Sequence, residues 1–203
     1  EQIAKQLDRR NAFFKLIGFQ DLAFFHDGFI KGNTVKKFLE SYLGKQTFQD
    51  LKMPLRVIAA DLFTSEEMVL DRGSVVDAVR ASISIPGIFK PVMHQGRYMI
   101  DGGVIDPLPV RVLAKQGVKK IIAVNVLCGP QDRIERNDAR RRSEERYLAE
   151  LEQKKSLSRL CSQSMHKVST RYAVNIFNII MSTVQFMEYE IANTSGTQAD
   201  ILI

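Results

Sequence analysis

The chain has 203 residues, 45% of them hydrophobic and 26% charged, enough for one substantial core and too few for two full-sized domains. A chain of this length buries roughly 70% of its unfolded surface on folding, which removes any need for disulfide or metal staples. Its net charge of +6 favours anionic partners, yet residues 1–56 carry ten Lys/Arg against six Asp/Glu with no aromatic-interleaved basic stripe, so the charge argues for weak attraction to lipid headgroups and against nucleic acid.

Two cysteines, Cys128 and Cys161, form no CxxC and no cluster with histidine, so neither a zinc site nor any other metal or cofactor is expected; both read as small buried hydrophobes of a reducing compartment. The charge-free stretch from Tyr172 to Met187 is too short and too polar to span a bilayer. The chain starts at Glu1 and stops in the apolar run Ala199-Asp200-Ile201-Leu202-Ile203, and is read as a fragment of one domain, truncated at both ends. A cytoplasmic or inner-face peripheral location is the matching expectation.

In chain order, residues 1–18 carry an imperfect helical repeat of Ile3, Leu7, Phe13, Phe14 and Ile17. Gly28 to Thr34 supply turn residues, and Asn33 or Thr34 is placed to cap a helix carrying Val35, Phe38, Leu39 and Tyr42 that Gly44 ends. Pro54 to Leu62 is a nearly continuous apolar run of strand length, the pattern of a strand buried on both faces. Ser74 is a candidate N-cap for a helix from Val75 to Ser82. A proline-pinned apolar loop, Ser84 to Val92, leads to a hairpin at Gln95-Gly96 and a strand Arg97 to Ile100 running into Asp101-Gly102-Gly103.

Asp106-Pro107-Leu108-Pro109 opens a helix ending at Gly117, with Asp106 as its cap, and Lys120 to Leu127 is the second buried strand. Residues 131–160 form a charged helical excursion; between Gln131 and Arg159 nine Lys/Arg alternate with seven Asp/Glu, including Glu150 before Lys154, so a solvated face is expected there. A last helix, Ser169 to Ala192, places Ala173, Ile176, Phe177, Ile180, Val184, Met187 and Ile191 on one face, read as core. The order of elements indicates a layered α/β domain whose two apolar strands, Leu55 to Leu62 and Lys120 to Leu127, lie near each other in one mainly parallel sheet.

Neither a Gly-x-Ser-x-Gly elbow, a Gly-x-Gly-x-x-Gly loop nor a P-loop occurs, and the histidines His26, His94 and His166 share no motif. Asp101 is the exception among the acids. A carboxylate at the end of an apolar strand, followed by two glycines that permit a sharp bend, can approach a reacting hydroxyl and accept its proton.

Three ordered segments surround it: Pro54-Leu55-Arg56-Val57-Ile58-Ala59-Ala60-Asp61-Leu62, then Ala81-Ser82-Ile83-Ser84-Ile85-Pro86-Gly87-Ile88-Phe89, then Tyr98-Met99-Ile100-Asp101-Gly102-Gly103. Together they resemble the patatin-like phospholipase family, in its bacterial and neuropathy-target-esterase-like branch. The resemblance implies a three-layer α/β/α fold and a serine acyl hydrolase that works with a Ser/Asp dyad and no histidine. Asp101 maps onto the family's general base, with Gly102 and Gly103 shaping its turn. The family's serine elbow and glycine-rich oxyanion loop precede the matched region and are not in this sequence, so the chain by itself is expected to be inactive.

Pro86, Gly87, Ile88 and Phe89 either line an acyl-chain groove or pack between strands, and Arg80 pairs with Asp77 or Asp101. The expected partner is a lipid or other ester, with peripheral membrane association and with oligomers or a partner segment covering the truncated sheet. A domain of the same fold that binds lipid or protein without catalysis is the other reading.

Overall fold

The computed structural model describes residues 30–153 and 176–203; the helix expected at 1–18, His26, Lys154, Cys161 and His166 lie outside them. The described residues form a mixed α/β fold with two small sheets. One sheet has four strands: β1 (Val57–Asp61), β2 (Glu67–Leu70), β3 (Val92–His94) and β4 (Arg97–Asp101), in the order β2-β1-β4-β3. The other pairs β5 (Ile122–Ala123) with β6 (Ile201–Leu202).

The expected mainly parallel sheet is corrected by this topology. Every pairing in the four-stranded sheet is antiparallel, while β5 and β6 run parallel. Chain connectivity supplies the reason. β1–β2 and β3–β4 are joined by tight turns, which permit only antiparallel neighbours, whereas β5 and β6 are separated by a long helical crossover of the kind parallel pairing requires. The two apolar runs accordingly fall in different sheets: β1 in one, β5 in the other.

Local signals set the elements near the site. Helix α1 (Asn33–Leu43) ends where Gly44 takes a positive φ and donates its N–H to Glu40. Its N-cap is Gly32 rather than Asn33 or Thr34, at φ 81. A Cβ at Gly32 would stand 2.2 Å from the guanidinium of Arg80, so glycine is required there on two counts. Helix α2 (Val75–Ser82) begins as expected, with the Ser74 hydroxyl accepting the Asp77 N–H at 3.2 Å. The β3–β4 turn places Gln95 and Gly96 at φ 49 and 79, the positive pair that matches the right-handed twist of a two-residue hairpin.

The apolar side of α2 lies on the four-stranded sheet. Val75, Ala78 and Ala81 meet Ala59, Leu70, Met99 and Phe48 in a buried cluster. β1 is buried at Ile58, Ala59, Ala60 and Asp61, on both faces as its composition predicts. Asp61 earns its burial by capping the β1–β2 turn: its carboxylate accepts the N–H groups of Phe63 and Thr64 and faces Arg97, and those N–H groups hold its pKa below the ordinary carboxylate range.

A second cluster joins helix α3 (Val110–Ala114), β5 and helix α5 (Ile176–Gly196) through Leu108, Val110, Ile121, Ala123 and Ala192. Here the apolar stripe read as core is corrected. Ile176, Ile180 and Met187 are exposed, and α5 buries instead its last turns, at Ala192, Ser195 and Gly196, because those are the turns that pass over α3 and β6. Helix α4 (Pro130–Gln153) is polar and exposed at most of its described positions, as its mixed charge predicts, with Arg133 and Asp138 half-buried and Arg141 near both Asp138 and Glu145. Cys128 is a partly buried free thiol. Among the described residues no helix is long and apolar enough to cross a membrane.

Candidate active site

Asp101 is the last residue of β4, held in register opposite Ala59 of β1. Its backbone N–H donates to the Ser84 carbonyl at 3.1 Å. Ser84 is itself fixed by Arg80, whose guanidinium donates to the Ser84 hydroxyl at 2.8 Å and to the Lys31 and Lys90 carbonyls while lying 5.0 Å over the Phe89 ring. Of the two acids weighed for Arg80, Asp77 is taken by Lys36 at 2.7 Å. Arg80 thus ties α2 and the following loop to the end of β4, and the backbone of Asp101 inherits that rigidity.

Beyond Asp101 the chain turns into a short 3-10 segment, Gly102–Val104. Neither glycine takes a positive φ. Gly102 is required for clearance: a Cβ there would lie 2.2 Å from the Ile58 carbonyl oxygen and 2.6 Å from its carbon. The bend expected from two flexible glycines is therefore a close backbone crossing of β4's end over β1. At Gly103 the backbone N–H donates to Asp101 Oδ1 at 2.7 Å, which anchors one carboxylate oxygen and leaves Oδ2 for a proton. Burial pushes the Asp101 carboxyl above its ordinary pKa, and the Gly103 N–H opposes that shift in part.

Asp101 lines a cavity of about 570 Å³ whose walls include Ile58, Ile85, Asp106, Leu127 and Glu188. The volume and the predominance of aliphatic lining suit an apolar ligand with a few polar contacts. The loop Ser84 to Val92 contributes Ile85 to this wall, preceded by Ile83. Pro86, Gly87, Ile88 and Phe89 are placed elsewhere: the Ile88 carbonyl accepts the Ile30 N–H, Gly87 sits beneath the Phe177 ring and Phe89 underlies Arg80. His94 lies at the far end of the β3–β4 hairpin from Asp101, in register with Arg97.

Two acids at this cavity escape a reading of the sequence. Asp106, expected to cap the next helix, does not occupy its N-cap position, which is Pro109; Asp106 is instead buried, at 2% exposed. Burial and the nearby charge of Glu67 raise its pKa, with Arg111 at 3.8 Å offsetting part of the effect. Glu188 comes from α5, some 87 positions downstream of Asp101, and the signal for it was the spacing Met181, Val184, Gln185, Glu188, one face of a helix at i, i+3, i+4 and i+7. That face, which shares Val184 with the stripe read as core, is the one α5 turns to the cavity.

A family model for patatin-like phospholipase matches residues 1–114, more than half of the chain, and includes Asp101-Gly102-Gly103. The chain is 32% identical over 96 residues to an uncharacterized NTE family protein of Mycobacterium tuberculosis, covering 47% of this chain and 16% of that protein. It is 30% identical over 106 residues to Lysophospholipase NTE1 of Candida albicans, covering 52% of this chain and 8% of that one. Over 153 residues it is 31% identical to the uncharacterized protein YqhO of Bacillus subtilis, at 66% and 53% coverage. The chain thus spans between 16% and 28% of the mycobacterial relatives it matches.

Proposed function

The chain belongs to the patatin-like phospholipase family, and we propose that it carries the general base of a lipid acyl hydrolase, Asp101, whose nucleophilic serine lies outside these 203 residues. The observation that supports this reading most directly is the Asp101 carboxylate at a strand end, one oxygen anchored by Gly103 and the whole group set into the wall of an aliphatic cavity. In the proposed reaction the serine hydroxyl attacks the ester carbonyl carbon while its proton passes to Asp101 Oδ2. The tetrahedral oxyanion that forms is held by backbone N–H donors of the same outside segment. Collapse expels the alcohol, which takes the proton back from Asp101. Water then attacks the acyl-enzyme by the same route in reverse, releasing the fatty acid and restoring the serine.

A carboxylate whose proton affinity is raised by burial is a stronger base than one in water, so the environment of Asp101 suits this task. Ile58, Ile85, Leu127 and Val184 would receive the acyl chain. The test is comparative. The 203-residue chain alone is expected to show no hydrolysis of a chromogenic short-chain ester and no labelling by a fluorophosphonate, while the longer protein containing it shows both. Turnover by the isolated chain, abolished by the fluorophosphonate, would sink the assignment of the nucleophile; a longer protein that carries Asp101 but hydrolyses no ester favours a lipid-binding module instead.

Peripheral membrane contact belongs to the same proposal. The chain's diffuse positive charge is expected to give weak binding to anionic vesicles, at most about 1 kcal/mol per Lys/Arg near the surface, fading as salt is added. Co-sedimentation with neutral vesicles as strong as with anionic ones would count against an electrostatic contribution.

A further inference from the structure

The geometry points to Glu188 as a positioning residue for the Asp101 base: its carboxyl faces Asp101 across Gly103, and its charge acts on the proton that Asp101 accepts. This rests on Asp101 being the base. The placement is specific. A methyl group built on Gly103 would stand 3.2 Å from Asp101 Oδ1 and 3.4 Å from Glu188 Oε1, so the two oxygens flank one point above a residue that has no side chain to separate them. Both carboxyls line the same cavity, one from the end of β4 and the other from the inward face of α5. The other charged groups on that wall are Arg56, just ahead of β1, and Asp106, which faces Glu67 and Arg111.

Two carboxylates this close in a partly buried wall do not ionise independently. Burial and the charge of Asp101 both push the Glu188 pKa up, so the pair loses its protons in two steps that belong to both carboxyls together. Once both are ionised, a proton arriving on Asp101 relieves their repulsion. The attack step delivers such a proton. An ionised Glu188 therefore favours the protonated form of Asp101 that the transition state is approaching, without touching the reacting atoms. The helix that supplies it lies wholly beyond residue 114, where the family model ends.

Carboxyl carbon NMR titration of the 203-residue chain reads the pairing directly, and needs no turnover. In Asp101→Asn the Glu188 midpoint is expected to move down from its wild-type position; an unmoved midpoint overturns the inference whatever the protein catalyses. In the longer protein, kcat/KM for a chromogenic ester is expected to rise with pH in two steps. Glu188→Gln should leave one step and lower the plateau, by far less than the ~10²–10⁴-fold loss that follows removal of a general base. A Glu188→Gln profile that keeps both steps also overturns it, since a merely structural helix residue would change rate without changing the profile. Hydrolysis indifferent to Asp101→Asn, with the NMR coupling present, overturns the base assignment instead and is distinguishable by that combination.

Discussion

If the proposed dyad operates, replacing Asp101 by Asn in a longer protein that supplies the serine is expected to lower kcat/KM by about 10²–10⁴-fold while leaving the folded state intact. Asn is nearly isosteric, and its side-chain oxygen can still accept the Gly103 N–H that anchors Asp101 Oδ1. What it lacks is a second oxygen able to take a proton; an amide NH2 would face the serine in its place. Stability should not fall, because the wild-type carboxylate sits where burial disfavours its charge. Ester kinetics and a thermal melt, run side by side, separate the two effects. Wild-type rates in the variant would remove Asp101 from the chemistry.

Gly102→Ala is expected to have the largest effect on stability. The new methyl would stand 2.2 Å from the Ile58 carbonyl oxygen and 3.1 Å from the Ala59 nitrogen, both backbone atoms at the centre of the four-stranded sheet. A flexible side chain could swing aside, but these atoms move only if β1 and the end of β4 separate. Overpacking of this kind costs about 3 kcal/mol or more, which in a domain of this size lowers Tm by about 6–12 °C. Differential scanning calorimetry of the described chain measures it. A melting temperature within a degree of wild type would show that the strands part without strain and that Gly102 serves the turn for another reason.

Features encoded by neighbouring residues were legible in the sequence. Ser74 capping α2, Gly44 ending α1 and the Gln95-Gly96 hairpin each depend on interactions within about four positions, and each stands where the residues predict it. Asp101 at a strand end was legible for the same reason, and the ordered segments around it carried the family. Sheet partnership was not: the run at β1 is covered on both faces, but the run Lys120 to Leu127, expected to be buried likewise, leaves Ile122, Val124 and Val126 exposed. Whether the cover comes from a parallel neighbour or from an antiparallel hairpin depends on connections that the run itself does not contain. The α5 stripe failed on the same ground: periodicity identifies an apolar face, and contacts with α3 and β6 decide which turns are buried. Glu188 is the sharpest case. Its meaning depends on a carboxylate far away in the chain, and from its own neighbours it reads as one more polar residue on a helix.

The parallel pair β5–β6 also fixes an order of events in time. Ile121 donates to the Asp200 carboxylate, and Ile122 and Ala123 pair with Ile201 and Leu202, across a separation of 79 residues in the Ile121–Asp200 bond. The four-stranded sheet, by contrast, is complete once residue 101 has been made. At a synthesis rate of about 5–20 residues per second, β5 emerges and then waits for about 4–16 s before its partner exists. During that interval β5, Ile122–Ala123, has an unpaired backbone edge open to solvent or to a chaperone. The sheet that carries Asp101 is therefore built early, and the helix that carries Glu188 is tied to it only after β6 has been made.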